Sequence, residues 1–337
     1  MSLIQKLIYA LNVLAVLGLI FAYISPFINP SLTWFFSFFG LGYPILLILN
    51  VLFVLYWLVA KPKVAFMSLI FILMGVMPIL RTIGFNKMKD VKSGVKVMSY
   101  NIGGTHLKFS NKNKAANIKA FEDFLLLNPS DIICLQERVR WQIDIFNDLF
   151  PNHNTYPKDG LGTCIYSKHP IKAKGTIAND TKFNNVTWAD IEIAKKLIRV
   201  YSVHLSSNKV KNLTDNVKEI LDESVYILDK YNEHSIRRSE QMNQVLLHAE
   251  KCPHPVFITG DFNDVPQSYV YRQVSKKYND VFLDHGYGMA KTYNSRMPGL
   301  RIDYAFSDNN LEILDQDILK TNLSDHYPLV TTIKNDW

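Results

Sequence analysis

The chain has 337 residues, 48% hydrophobic and 20% charged, with a formal net charge of +7 and a pI near 9.0. A chain this long and this apolar can bury one large core, which excludes a disordered acidic or basic tail as its main body. The basic surplus is not a nucleic-acid signature either: residues 1–81 hold Lys6, Lys61, Lys63 and Arg81 and no acid, leaving 33 basic against 30 acidic residues from Thr82 onward.

From Leu7 to Ala60 there is no Asp, Glu, Lys or Arg. A helix crossing the roughly 30 Å hydrocarbon layer needs about 20 apolar residues. The pattern predicts membrane spans over 7–24 and 36–60, separated by Ser25-Pro26-Phe27-Ile28-Asn29-Pro30-Ser31, and a shorter third over 64–80 after Lys61-Pro62-Lys63. Trp34, Tyr43, Tyr56 and Trp57 lie toward the ends of the second span, where interfacial aromatics belong. A cleaved signal peptide would explain only the first stretch, and no small-x-small site precedes Pro26. Lys6, Lys61 and Lys63 nearly balance Arg81, Lys87 and Lys89 across the membrane. The uncharged loop 25–33 favours the outside, so the N-terminus is expected in the cytoplasm of a bacterial inner or plasma membrane and the rest of the chain on the extracytoplasmic side.

Residues 82–94, with Gly84, Asn86 and Gly94, read as a polar linker, and 95–337 as one large domain. Four apolar runs in that domain predict buried strands, each ending on polar groups. Val95 to Ser99 leads into Tyr100-Asn101, Asp131 to Leu135 into Gln136-Glu137, Ile198 to Val203 into His204, and Val256 to Thr259 into Gly260-Asp261. Polar side chains therefore collect at one rim of a sheet, where a rigid scaffold carries catalytic groups. Residues 206–233 read as an insertion with a helical pattern at Val217, Ile220, Leu221, Val225 and Leu228, expected to roof that rim. A helix from Ser235, as N-cap, to about Lys251 carries Arg238 and Gln241 three residues apart. Cys134 and Cys164 sit in apolar runs and pack as small hydrophobes; with Cys252 they are three, and no disulfide framework is implied.

Near the C-terminus Gly260-Asp261-Phe262-Asn263-Asp264 is followed by Arg301-Ile302-Asp303-Tyr304 and Ser324-Asp325-His326-Tyr327-Pro328. Asp and Asn offer hard oxygen ligands, and a His held by an Asp can move a proton near neutral pH. These are the parts that phosphoester cleavage needs. Asp or Asn after a strand also forms turns and N-caps. His106, His153, His169, His234, His248, His254 and His285 match no required spacing. The groups Lys108, Lys112 and Lys114, the segment 168–174, and Lys195-Lys196 with Arg199 are too sparse for a phosphate-backbone patch.

Five motifs in order, Ser99-Tyr100-Asn101, Leu135-Gln136-Glu137, Ser202-Val203-His204-Leu205, Gly260-Asp261-Phe262-Asn263 and Ser324-Asp325-His326, resemble the endonuclease/exonuclease/phosphatase superfamily, in a membrane-anchored bacterial-type form. That superfamily includes pancreatic deoxyribonuclease, abasic-site endonucleases, neutral sphingomyelinases and inositol-polyphosphate phosphatases. The resemblance implies an α/β fold, a four-layer sandwich of two packed sheets flanked by helices, here preceded by about three transmembrane helices. It implies that Glu137 is the main ligand of Mg2+ (or Mn2+), with Asn101 and Asp325 helping to hold the ion. Asp261 would orient or deprotonate the attacking water, and Asn263 would hold a phosphate oxygen. His326 would hydrogen-bond the phosphoryl group or shuttle a proton with Asp303 fixing its tautomer, and His204 would stabilise the pentacoordinate transition state. Arg238 and Gln241 would brace the sheet edge. The expectation is a membrane-anchored, divalent-metal-dependent phosphoesterase, a phosphodiesterase acting on nucleic acid or a phospholipid-like headgroup. The alternative is a membrane scaffold that keeps the fold without turnover.

Overall fold

The structure, a computed structural model, describes the chain except residues 87–90, 92, 104–113, 179, 208–216, 295–298 and 336–337, and gives the backbone without side chains over 217–228. It divides into two compact units, one of residues 1–82, 208–239 and 264–272, the other of 83–207, 240–263 and 273–337.

The larger unit is built on two mixed six-stranded sheets. The first runs β10 (Asn279–Asp280), β12 (Asp303–Ser307), β9 (Val256–Asp261), β8 (Lys196–His204), β7 (Val186–Ile193), β6 (Ile171–Ile177). The second runs β13 (Ile313–Ile318), β14 (Leu329–Ile333), β2 (Val95–Asn101), β3 (Ile132–Arg138), β5 (Gly162–Ser167), β4 (Asn154–Tyr156). The four strands expected from apolar runs are β2, β3, β8 and β9. They form the two parallel pairs, β2 with β3 and β8 with β9, near the middle of their sheets.

Alternation along each strand builds the layers. Val95, Val97, Ile132, Cys134 and Ile165 meet Ala189, Ile191, Ile198, Val200, Phe257 and Ala305 between the sheets. On the opposite face of the second sheet, Met98, Tyr100, Ile133 and Leu135 pack on Phe121 and Leu125 of α6 (Lys114–Leu127) and Phe146 of α7 (Arg140–Leu149). Each such side chain removed from water contributes about 1.5–3 kcal/mol. The outer face of the first sheet is covered by the end of α8 (Val217–Ala249), where His248 Nδ1 lies 2.7 Å from the Tyr201 hydroxyl and the His248 ring tilts over Trp188. The fold is thus helix, sheet, sheet, helix.

Two expectations change here. The pattern at 217–228 and the helix expected from Ser235 are one continuous 33-residue helix. No Gly or Pro interrupts it, and Ser235 donates its hydroxyl to Tyr231 O (2.6 Å), a bond back along the helix in place of a cap. The stretch expected as linker begins with a strand: β1 (Ile83–Phe85) pairs antiparallel with β11 (Tyr287–Met289) and lies on α10 (Val281–His285). Gly84 permits this, because a Cβ there would overlap the carbonyl oxygen of Gly286.

The smaller unit gathers the apolar helices α1 (Leu3–Ile24), α2 (Phe35–Leu41), α3 (Tyr43–Ala60), α4 (Pro62–Met74) and α5 (Val76–Leu80). α1 begins with a capping box between Ser2 and Gln5. α1, with the turn to Phe27, and α3 are long and apolar enough to cross a membrane. The second expected span starts later than 36, because 35–41 forms a separate short helix ahead of Tyr43. The third, expected over 64–80, is broken at Gly75. Tyr23 donates its hydroxyl to Phe71 O (2.9 Å), the carbonyl a continuous helix would give to Gly75, and the Gly75 N–H turns to Ile72 O instead. A side chain at Gly75 would overlap that hydroxyl.

Between the helices Asn12 Nδ2 donates to Ser68 Oγ (2.6 Å) and Asn50 Nδ2 to Ala15 O (3.1 Å), all in buried positions. Leu7, Leu11, Leu14, Ile48, Leu52, Leu55, Phe66, Ile70 and Leu73 are exposed. In the same unit Tyr231 donates to Ser37 O, Arg238 pairs with Asp264 (3.2 Å), and Arg81 donates to Pro266 O.

Candidate active site

The apolar layer between the sheets turns polar toward one end. On the face that carries Val95 and Val97 come Ser99 and Asn101; beyond Ile132 and Cys134 comes Gln136; beyond Ile198 and Val200 come Ser202 and His204; beyond Phe257 come Thr259 and Asp261. Sheet register aligns these ends. Asn101 lies opposite Gln136, His204 opposite Asp261, and Asp261 opposite Asp303. Gln136 ties the two sheets together, donating to Ser99 Oγ (3.3 Å) and Ser202 Oγ (3.1 Å).

Asp261 is the hub. It is buried, accepting from Asn101 Nδ2 on Oδ2 (2.9 Å) and from the Asn263 N–H on Oδ1 (2.7 Å). His204 Nε2 and His326 Nε2 each lie 3.7 Å from its Oδ2. Burial raises the Asp261 carboxyl, His326 draws it back down and Asp303 adds to the rise, leaving it at about 6. His326 Nδ1 sits between both oxygens of Asp303 at 3.1 and 3.0 Å, which orients the ring. Burial opposes the imidazolium, but Asp303, Asp261 and Asp325 outweigh it and hold the group at about 10.

Glu137 reaches the site against the strand pattern. Alternation would turn it outward with Ile133 and Leu135. A register shift between Leu135 and Arg138, with Glu137 in the left-handed region at φ 55°, brings its Oε1 to 3.4 Å from His204 Nε2 instead. Such backbone costs about 1–3 kcal/mol in a non-glycine residue and clusters at functional sites. Gly103 makes room for it, since a Cβ at that position would overlap Glu137 Oε2. Asn263 is also left-handed, at φ 52°, a conformation asparagine tolerates; its Nδ2 donates to Leu205 O (3.0 Å). One amide hydrogen of Asn263 is left for another acceptor.

His204 Nδ1 lies 2.7 Å from Phe183 O, and its Nε2 is buried with no hydrogen-bond partner among the described residues while facing the carboxylates of Glu137 and Asp261. Asp325 enters from a loop held by Ser324, whose hydroxyl donates to Asn101 O (2.8 Å). All eight residues expected from sequence thus lie in one unit, at the polar end of one layer. Asn101 is spent differently from a simple ligand: its amide nitrogen binds Asp261, and its oxygen accepts from Gly103 N (3.0 Å).

Sequence reasoning missed the supports. Tyr293 pairs with His326 in an isolated β-bridge and packs its ring edge-on at 4.8 Å. Burial raises the Tyr293 phenol, and so do Asp325, Asp261, Glu137 and Asp303, so one side chain feels all four carboxylates. Thr292 Oγ1 accepts from both Ile302 N (3.0 Å) and Asp303 N (3.1 Å). Arg301 makes a buried two-pronged pair with Asp280 at 2.7 and 2.5 Å. The only signal for these was proximity to the Arg-Ile-Asp-Tyr motif. Gln241 braces the neighbourhood, accepting from Ser206 N (2.8 Å) and donating to Ala178 O. Of the expected roof, residues 208–216 lie outside the described residues, as do His106, Lys108 and Lys112, and 217–233 are part of α8.

Comparison with known proteins gives the family and the fold. The model of the Endonuclease/Exonuclease/phosphatase family matches residues 98–326, and that of a family described as a domain of unknown function (DUF8431) matches residues 5–82. No curated protein matches the chain. Among solved structures, D. rerio TDP2 complexed with single strand DNA product superposes with a TM-score of 0.53 at 16% identity, over 72% of this chain and 100% of that one. The human Nocturnin catalytic domain with bound sulfate anion gives 0.51 at 18%, over 72% and 93%. A mannosyl-6-phosphatase of Bacteroides thetaiotaomicron VPI-5482 gives 0.50 at 16%, over 71% and 99%. At these identities the likeness speaks to the fold.

Proposed function

This chain belongs to the endonuclease/exonuclease/phosphatase family, hydrolases of phosphate esters, and from that premise we propose that it is a membrane-anchored, Mg2+- or Mn2+-dependent phosphodiesterase. The observation that carries the reading is the convergence of Glu137, Asp261, Asp303 and Asp325 around two buried imidazoles. Four carboxylates gather here around two imidazoles, and the buried His204 Nε2 faces two of them without a hydrogen bond among the described residues. A hard divalent cation fits that donor set. Glu137 and Asp325 would hold it with the Asn101 oxygen, and when bound it would neutralise charge developing on the phosphoryl oxygens.

The chain's own residues supply the remainder. Asp261, near 6, accepts a proton from water at neutral pH and aims that water through the Asn101 and Asn263 contacts that fix its carboxylate. His326, kept charged by Asp303, donates from Nε2 to a phosphoryl oxygen or to the leaving group. His204 Nε2 and the free amide hydrogen of Asn263 meet the equatorial oxygens.

The exposed apolar sides of α1, α3 and α4 support anchoring in the bilayer; with α4 and α5 counted as a broken third span, a cytoplasmic N-terminus would put the catalytic domain, 95–337, outside the cytoplasm. A lipid-like phosphodiester is favoured over nucleic acid, because a tether at the bilayer raises the effective concentration of a substrate held in the same membrane. Detergent-solubilised protein with Mg2+ assayed on labelled DNA, sphingomyelin and phosphoinositides tests the reading. Turnover of one lipid, cut about a hundredfold or more by His326→Ala, is expected. Turnover of none of them contradicts it.

A further inference from the structure

Nothing in the catalytic site uses the ribbon of β1 and β11. Residues directly opposite in an antiparallel pair share a face. Phe85 lies opposite Tyr287, Ile83 opposite Met289, and Gly84 opposite Gly288. Gly84 packs on the helix Val281–His285, where a Cβ would come within 3.0 Å of Phe282, whereas a Cβ at Gly288 would meet nothing within 4 Å. The other face is apolar and turned to solvent: Phe85 is 72% exposed, Tyr287 63% and Met289 54%. It carries no acid.

β1 starts three residues after Leu80, the last residue of the apolar helices. A residue advances the chain by at most about 3.6 Å, so Phe85 lies within about 18 Å of Leu80. We propose that Phe85, Tyr287 and Met289 form a docking face for the headgroup region of the bilayer that holds the helices, an inference that rests on the membrane-anchored reading. A large apolar side chain beside a tyrosine hydroxyl is the composition of a membrane interface. A second copy of the chain is the other conceivable occupant. Three side chains of at most about 150–250 Å² each fall short of the roughly 800 Å² per partner of a stable interface. A bilayer needs no such area, because the covalent tether keeps the ribbon at high effective concentration beside it.

The test uses the full chain in vesicles of phosphatidylethanolamine and phosphatidylglycerol, with Cys252→Ser as background and a nitroxide attached through Tyr287→Cys, Leu52→Cys or Lys119→Cys. Leu52 is an exposed residue of α3 and Lys119 an exposed residue of α6. Power saturation compares collision with oxygen, which concentrates in lipid, and with a nickel chelate, which stays in water. The label at 287 is expected to favour oxygen as the label at 52 does, while 119 favours nickel. If 52 favours oxygen and 287 favours nickel, the docking face is wrong and the anchoring stands. Shielding of 287 from both reagents means a protein partner and also overturns the proposal. Should 52 favour nickel, anchoring fails and the docking face with it.

Discussion

His326 keeps its proton because Asp303, Asp261 and Asp325 surround it, even though burial pulls the other way. Its folded value of about 10 stands above the ordinary imidazole value near 6.5, so the group contributes stability that is complete below about pH 6.5 and is lost as pH rises toward about 10. Thermal melts in EDTA should show Tm falling across that interval, and His326→Gln should flatten that part of the profile; identical profiles would remove the imidazolium from the account. Gly103 gives a second test at this scale. In Gly103→Ala the new methyl displaces the Glu137 carboxylate, so Mg2+ affinity measured calorimetrically should drop about tenfold or more. Unchanged affinity would mean that Glu137 is not held where the ion binds. That Asn101, Glu137, His204, Asp261, Asn263, Asp325 and His326 lie in one unit was legible because they stand in five motifs of recurring order; Asp303, at the start of β12, stood outside those motifs. The bulge that turns Glu137 inward was not legible, since alternation along β3 points the residue the other way.

Among the elements, the Asp303 strand depends on a buried ion pair. Arg301→Leu removes the guanidinium from the buried Asp280 carboxylate, which keeps its bond from Phe282 N, and should cost about 3–5 kcal/mol in chemical denaturation. Asp280→Leu with Arg301→Leu should recover most of the loss, and a double variant as unstable as the single would argue that shape rather than charge is at stake. The four central strands could be read from sequence because they are buried on both faces and therefore continuous in apolar residues. Edge strands could not: β6 alternates half-buried and exposed positions before Gly175, and β10 has two residues. The single helix Val217–Ala249 was divided in the sequence reading because Ser235 looked like a cap, whereas its hydroxyl bonds back to Tyr231. Tyr23 broke the third expected span by a contact 48 residues away, which no local pattern records.

At the scale of the whole molecule, anchoring and catalysis are separable claims. Alkaline carbonate should leave the full chain in the membrane pellet, and protease added to spheroplasts should remove the domain from residue 95 onward while 1–81 stay protected. Release by carbonate would refute the anchor, and full protection of the domain would refute its placement outside. The site itself is tested most directly by binding of Mn2+, followed through its paramagnetic resonance, to the intact protein and to Glu137→Gln. The substitution should weaken binding about tenfold or more while the fold melts cooperatively as before. Equal Mn2+ affinity in the two proteins would contradict that expectation.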